Sequence, residues 1–181
     1  MIVIYANSKK MAYICYHFYL NKEYLIQMEK IDELDKRILD IISKNARIPF
    51  KEVADECGVS RAAIHQRVQR MMDLGVISGS GYYVNPKKLG FHTCTYVGLN
   101  LTKGSMYKEA IEELKKIPEV VEAHFTTGPY GIIVKLYARD NEHLMNLLNE
   151  RIQEIPGVTG TETMISLDQS IRKEIPITIS K

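Results

Sequence analysis

Long apolar runs are missing from this sequence. No stretch approaches the ~18 consecutive apolar residues of a membrane-spanning helix, which excludes the simplest membrane architecture. Cysteine is scarce too. Cys15, Cys57 and Cys94 are far apart and odd in number, no Cys-x-x-Cys pair exists, and the five histidines are scattered. That spacing fits neither a disulfide framework nor a structural zinc site, and it suits a reducing cytoplasm. Strong net charge is also absent, the formal value being +2 over 181 residues. A chain this balanced has no global pull toward a polyanion, so any electrostatic argument must be local. Residues 29–90 carry 11 Lys/Arg against 9 Asp/Glu, and residues 91–181 carry 10 against 12. The basic excess leans weakly toward the N-terminal half.

The most informative absence is local. From Ser60 to Met72 there is no acidic residue, yet Arg61, Arg67 and Arg70 are all present. The segments around it explain why that matters. Between Ile31 and Asn45, the apolar positions Ile31, Leu34, Ile38, Ile41 and Ile42 predict a helix with one buried face and Asp32 as N-cap. Pro49 opens a second short helix, FKEVADEC, with Val53, Ala54 and Cys57 inward; Gly58 ends it, because a left-handed C′ position suits glycine. Ser60 then caps a third helix, in which Ile64, Val68 and Met71 form one stripe. Ala62, Gln66, Gln69 and Arg70 lie opposite, with Arg61, His65 and Arg67 on the flanks. Val76-Ile77, a Gly-Ser-Gly turn and Tyr82-Tyr83-Val84 read as a short hairpin, and Asn85-Pro86 followed by Lys87-Lys88-Leu89-Gly90 as a linker.

Three helices with a Gly-containing turn before the third make a helix-turn-helix. Its third helix would lie in the major groove of DNA with its N-terminal residues against base edges. Acids there would repel phosphates, whereas arginines contact phosphates or guanine. Gln66, Gln69 and Arg70 are the candidates for base contact, and Ser60, Arg61 and Arg67 for phosphate. Ala62 shares the exposed face, and His65 is a wall residue rather than a reader.

Beyond the linker the period changes. Residues 93–101, 120–127, 132–138 and 158–167 read as strands, and 105–117 and 141–155 as helices. Gly128-Pro129-Tyr130-Gly131 makes a tight turn between the middle strands. Ile117-Pro118-Glu119-Val120 and Ile155-Pro156-Gly157-Val158 echo each other, each carrying a helix into a strand. Two such units give βαββαβ, a ferredoxin-like sheet with both helices on one face. Tyr96, Ile133 and Tyr137 on the other face then call for a second chain. The fold class is therefore α+β, with an N-terminal winged helix-turn-helix followed by the ferredoxin-like domain. The expected division is 28–84 for DNA binding, 85–92 as linker and 93–181 for effector binding and oligomerisation. Residues 1–27 hold five of the eleven tyrosines and fit neither neighbour. Two lysines precede an apolar run there, but no small-residue cleavage site follows, so the segment reads as an added element or as an extension before a start at Met28.

LDKRILDIISKNARIPFKEVADECGVSRAAIHQRVQRMMDLGVISG resembles the Lrp/AsnC (feast/famine) family of prokaryotic transcriptional regulators, and the likeness runs from about Ile31 to Ile175. TTGPYGIIVKLYA and GTETMISL are similar to the AsnC branch. The resemblance implies a cytoplasmic DNA-binding regulator without catalytic residues, metal or cofactor, responding to an amino acid or related small effector. It also implies dimers built across the sheets and assembled into tetramers or octamers. The turn Thr127, Gly128, Pro129, Tyr130 and Gly131 would offer backbone N–H groups to the effector, though it also reads as a plain hairpin turn. Thr161, Glu162 and Thr163 would supply hydroxyls and one carboxylate, with Glu162 toward the ammonium group or simply solvated. Many relatives carry an acid in a Gly-x-x-Asp turn where this chain has Gly131.

Two other readings stand beside this one. An architectural DNA-binding protein would share the first domain and lack the effector. A sirohaem-decarboxylase-like enzyme of the same fold would need chemistry from His92, His124 or His143, none of which has a spacing-defined partner.

Overall fold

The structure is a computed structural model that describes residues 31–177. The expectations for residues 1–27, and for a start at Met28, lie outside the described residues. By contacts the chain divides into two units, one running through Tyr82 and taking in the residues from Glu174, the other Tyr83–Lys173.

The first unit is built on three helices: α1 (Glu33–Lys44), α2 (Phe50–Cys57) and α3 (Arg61–Asp73). Asp32 caps α1 in a capping box: its side chain accepts from the Asp35 N–H at 2.8 Å, and Asp35 accepts from the Asp32 N–H at 3.1 Å. This reciprocal pair satisfies two N–H groups that a helix start otherwise leaves open. Gly58, at φ +70°, ends α2 in the left-handed region, and Ser60 Oγ accepts from the Ala63 N–H at 3.1 Å to start α3. Ile38, Ile41, Val53, Ala54, Ile64, Val68 and Met71 form the core of this unit.

The hairpin expected over Val76–Val84 is not formed, since residues 74–85 carry no strand. The reason lies at the end of α3. The Gly75 N–H bonds to the Met72 carbonyl at 2.9 Å and the Val76 N–H to the Met71 carbonyl at 2.9 Å, with Gly75 at φ +71°. That is a Schellman closure. The Ile77 N–H also donates to Met71 O, at 3.1 Å. Both donors that would begin a ladder are thus held by the helix terminus. A 3₁₀ turn, Pro86–Leu89, follows in the expected linker.

The second unit runs β1 (Thr93–Leu101), α4 (Tyr107–Leu114), β2 (Val120–Phe125), β3 (Ile132–Ala138), α5 (Asn141–Asn146) and β4 (Val158–Ser166). All neighbouring strands are antiparallel in the order β2-β3-β1-β4, as the βαββαβ reading requires. Alternation sorts the side chains: Val97, Leu99, Ile132, Val134 and Leu136 are buried with Ala110, Leu114, Leu144 and Ile152 of the helical layer. The helix expected over 105–117 is shorter, because its last turn tightens: the Lys116 and Ile117 N–H groups bond three residues back. The helix expected over 141–155 changes kind midway, α5 passing into a π segment, Leu147–Ile152. Leu147 and Ile152 are both buried and five residues apart, a spacing that i→i+5 bonding brings toward one line.

Thr95 is fully buried in this core, and its hydroxyl has no hydrogen-bond partner among the described residues. Replacing a solvent-free, unpaired hydroxyl with a methyl removes a desolvation penalty. Thr95→Val should therefore raise the unfolding free energy by about 1 kcal/mol. Urea titration of the variant against the parent chain measures it, and a lower midpoint would contradict the assignment.

Candidate nucleic-acid interface and effector site

α3 presents Arg61, Ala62, His65, Gln66, Gln69 and Arg70 to solvent, while Arg67 is half-buried. The sequence places three arginines on this helix but cannot show what two of them, Arg67 and Arg70, hold. Asp35 is fully buried, and its two carboxylate oxygens take one arginine each: Arg67 Nη1 donates to Oδ1 at 2.8 Å and Arg70 Nη2 donates to Oδ2. Arg67 Nη1 also donates to Asp32 Oδ2, at 2.7 Å. The capping box of α1 is therefore also the anchor of α3.

The candidates separate accordingly. Arg67, expected at phosphate, is held by two carboxylates, and its side chain is only 29% exposed. Arg70, expected at a base, is 44% exposed and held along one edge, so its remaining N–H donors still face outward. Gln69 Nε2 donates to Asp73 Oδ1 at 3.0 Å, an acid just beyond the acid-free window. Ser60 is engaged as the cap. His65 stands edge-on to Phe50, ring centroids 5.9 Å apart. Arg61 and Gln66 have no side-chain partner among the described residues.

In the second unit the loop Thr126–Gly131 is closed by Thr126 N–H to Gly131 O at 3.0 Å and Thr126 Oγ1–H to Tyr130 O at 2.5 Å. The Gly131 N–H is already committed to Leu99 O at 2.9 Å, which removes it from the donors expected for a ligand. A Cβ at Gly131 would stand 3.3 Å from Leu101 Cγ, so a side chain there requires Leu101 to shift. Tyr130 crosses the sheet face away from the helices. Its ring lies over Gly98, where any Cβ would stand 2.5 Å from the nearest ring carbon, and its hydroxyl donates to Glu162 Oε2. That bond pushes the phenol pKa up, helped by burial and the carboxylate charge, and keeps Tyr130 a donor.

Thr161, Glu162 and Thr163 do not form one cluster. Strand alternation puts Glu162 opposite Gly98 on the outer face, and Thr161 and Thr163 opposite the inward Leu99 and Val97. Thr161 Oγ1 accepts from Gln153 Nε2 at 3.0 Å. Of the expected effector residues, the fold brings together Tyr130 and Glu162. The sequence could not reveal Gly98 as the floor beneath that ring, because an isolated glycine in a strand names no partner.

The same outer face carries Tyr96, Ile133, Lys135 and Tyr137, all half-buried, and Met164, 43% exposed. Lys135 Nζ donates to Glu122 Oε1 at 2.9 Å and lies 5.8 Å from the Tyr96 ring centroid. That hydrogen bond is the largest reason the Glu122 carboxyl sits below its ordinary range. The scattered histidines do not converge on one another. His124 lies 3.8 Å from Glu122, and His143 lies 3.4 Å from Glu119. Among the described residues no group of three His, Cys, Asp or Glu could hold a metal ion, and no helix is long and apolar enough to cross a membrane.

The Asp32 carboxyl is pulled two ways. Burial pushes it up, while Arg67, by hydrogen bond and charge, and the Asp35 N–H pull it further down, so the net lies below the ordinary 3.8. A carboxyl lowered in the folded state adds stability that is present above the unfolded value and lost as pH falls through the folded one. Unfolding midpoints should therefore drop as acid is added below about pH 4, and Asp32→Asn should flatten that limb. Asp35→Ala should cost about 1–2 kcal/mol in urea titration, because it removes half of the α1 capping box and the anion shared by Arg67 and Arg70, which stay partly solvated.

Comparison with known proteins agrees with this layout. Residues 31–78 match the family model for a winged helix-turn-helix DNA-binding domain, and residues 94–175 match that of the Lrp/AsnC ligand binding domain. The regulatory protein AsnC of Haemophilus influenzae is 38% identical over 148 residues, covering 82% of this chain and 99% of that protein. The structure of Escherichia coli AsnC superposes with a TM-score of 0.75 at 38% identity, over 80% of this chain and 97% of that one. A feast or famine regulatory protein of Mycobacterium tuberculosis, solved in complex with L-methionine, shares the fold at a TM-score of 0.76 and 24% identity, over 82% and 99% of the two chains.

Proposed function

The chain belongs to the Lrp/AsnC family of transcriptional regulators, and from that premise we propose that it is a sequence-specific DNA-binding regulator whose sheet domain senses an amino acid. The observation that carries the DNA half is the exposed face of α3: no acid over its first three turns, a Ser60-capped N-terminus, and arginines that meet their counter-charges on α1 rather than on α3 itself. Helix N-termini favour anions, and a helix of this size fits the major groove. In this reading Gln66 reads a base edge, and Arg61 and Ser60 hold phosphate. Arg70 offers its free edge to guanine from a fixed position, and Ala62 and His65 form the wall of the contact. Gln69 reaches a base by releasing Asp73. Arg67 acts through Asp32 and Asp35.

The effector half rests on Tyr130 and Glu162. The carboxylate suits an ammonium group, the phenol is a protonated donor, and Gly128, two residues before Tyr130, stands in open space. A family relative holding L-methionine supports an amino acid as the chemical class. An effector that pairs with Glu162 displaces or shares the Tyr130 hydrogen bond, which couples ligand binding to the 127–131 loop. A second copy over Tyr96, Ile133 and Tyr137 would complete the outer sheet face, giving dimers that assemble further into tetramers or octamers in the cytoplasm. His124 and His143, paired with separate glutamates, give no support to an enzyme of this fold.

Sequencing of bound genomic fragments with and without amino acids tests both halves at once. Purified protein should also gain about 2.7 kcal/mol of stability at 100 times Kd of its effector. A thermal-shift screen of the twenty amino acids reads that out, and a flat response to all of them favours an architectural DNA-binding role. On the DNA side, Gln66→Ala should lose about 1–3 kcal/mol on the preferred site only. Arg61→Ala should weaken all duplexes alike, as gel-shift titrations on matched and scrambled sites would show.

A further inference from the structure

Five arginines lie between Ile31 and Tyr82, and the structure uses them in different ways. Arg37 Nη2 donates to the Glu56 carbonyl at 2.6 Å, at the end of α2. Arg67 and Arg70 give an edge to the carboxylates of α1, and Arg61 stands apart from any carboxylate among the described residues. Arg47 is in a different situation. Its guanidinium carbon lies 4.3 Å from the centroid of the Tyr82 ring, Tyr82 is itself 80% exposed, and no described carboxylate pairs with Arg47. Stacking on a ring face holds the plane of a guanidinium while leaving its edge open, and that edge is a fork of N–H donors matched to phosphate oxygens. A salt-bridged arginine has the reverse arrangement, with its edge taken.

The place is as informative as the geometry. Arg47 sits in the turn between α1 and α2, set by Arg47 N–H to Asn45 Oδ1 at 3.1 Å and Ile48 N–H to Asn45 O at 3.1 Å. Three residues on, Phe50 meets the ring of His65 edge-on, and His65 lies on the exposed flank of α3. The chain path from Phe50 back to Arg47 spans at most about 10 Å. The turn that carries Arg47 therefore starts within about 10 Å, along the chain, of the residue that packs on the flank of α3.

We propose that Arg47, held on Tyr82, is a second phosphate-binding point, gripping the backbone of duplex DNA beside α3. This rests on the DNA-binding reading above and extends it to a contact outside the recognition helix. Tyr82 is a positioning residue: it supplies the platform and leaves the charge contact to Arg47.

Full-length protein is titrated against a labelled mixed-sequence duplex between 50 and 200 mM salt, each variant first matched to wild type by circular dichroism. Losing one phosphate contact lowers the slope of log K against log salt by about 0.9 per bound copy. Over that fourfold rise in salt, Arg47→Ala is thus expected to lose about 3.5-fold less affinity than wild type per bound copy. Tyr82→Phe should keep the wild-type slope, and Tyr82→Ala should bind more weakly at every salt concentration. A wild-type slope in Arg47→Ala, beside a reduced slope in Arg61→Ala, overturns the Arg47 assignment and leaves the DNA-binding reading standing. Wild-type protein with no salt-dependent affinity for any duplex overturns both.

Discussion

Asp35 is a carboxylate closed off from water, and the orientation of the DNA-facing helix depends on how that charge is satisfied. An ion in such a place is costly unless it is paired and hydrogen-bonded. Here it is both: it accepts from Arg67, Arg70 and the Asp32 N–H, and the positive end of α1 adds to the stabilisation. Because the same group caps one helix and ties two side chains of another, it sets the rotation of α3 against α1. A buried pair of this kind is better understood as fixing geometry than as adding stability. The face of α3 that this rotation turns outward, Arg61 through Arg70, is the one any duplex would meet.

The acid-free stretch consequently has two physical causes. Phosphate repulsion is one: an acid beside the exposed Arg61 or Gln66 would oppose a phosphate there. Competition is the other: a carboxylate on α3 near Arg67 or Arg70 would draw them away from Asp35 and loosen the contact between helices. The face that remains carries one arginine unpaired among the described residues, Arg61, beside the uncharged Ala62, Gln66 and Gln69, so in the proposed reading discrimination falls to hydrogen bonding. Bulk charge plays a small part, in keeping with a chain of net charge +2.

In the sheet unit the organising constraint is alternation. One face of β1 and β3 makes the core with the helices. The other is partly covered by the chain's own groups, Tyr130 across Gly98 and Lys135 between Glu122 and Tyr96. The half-buried aromatics around them leave a surface suited to a second copy. Tyr130 and Glu162 lie on this same face, so under the proposed reading a ligand that moved the tyrosine would also change the surface offered to a second copy.

Much of this could be read from the residues. Asp32 and Ser60 as caps, Gly58 as a stop, the stripe Ile64–Val68–Met71 and the four strands all depend on neighbours a few positions away, and local backbone preferences determine them. Where local rules competed, the reading failed. Gly75 closes α3 and the Met71 carbonyl accepts from the N–H groups of Val76 and Ile77, so the expected hairpin has nothing to start from. Thr161 and Thr163 look like companions of Glu162 until pleating sends them to the opposite face. Folding alone decided the pairs far apart in sequence: Asp35 with Arg67 and Arg70, 32 and 35 residues away, Tyr130 with Glu162, and Arg47 with Tyr82. The residue order therefore determined the family and most of the helices and strands, because periodicity and capping are short-range. Tertiary structure decided which charged groups remain free to act, because a guanidinium is committed only when packing brings a distant carboxylate or ring within reach.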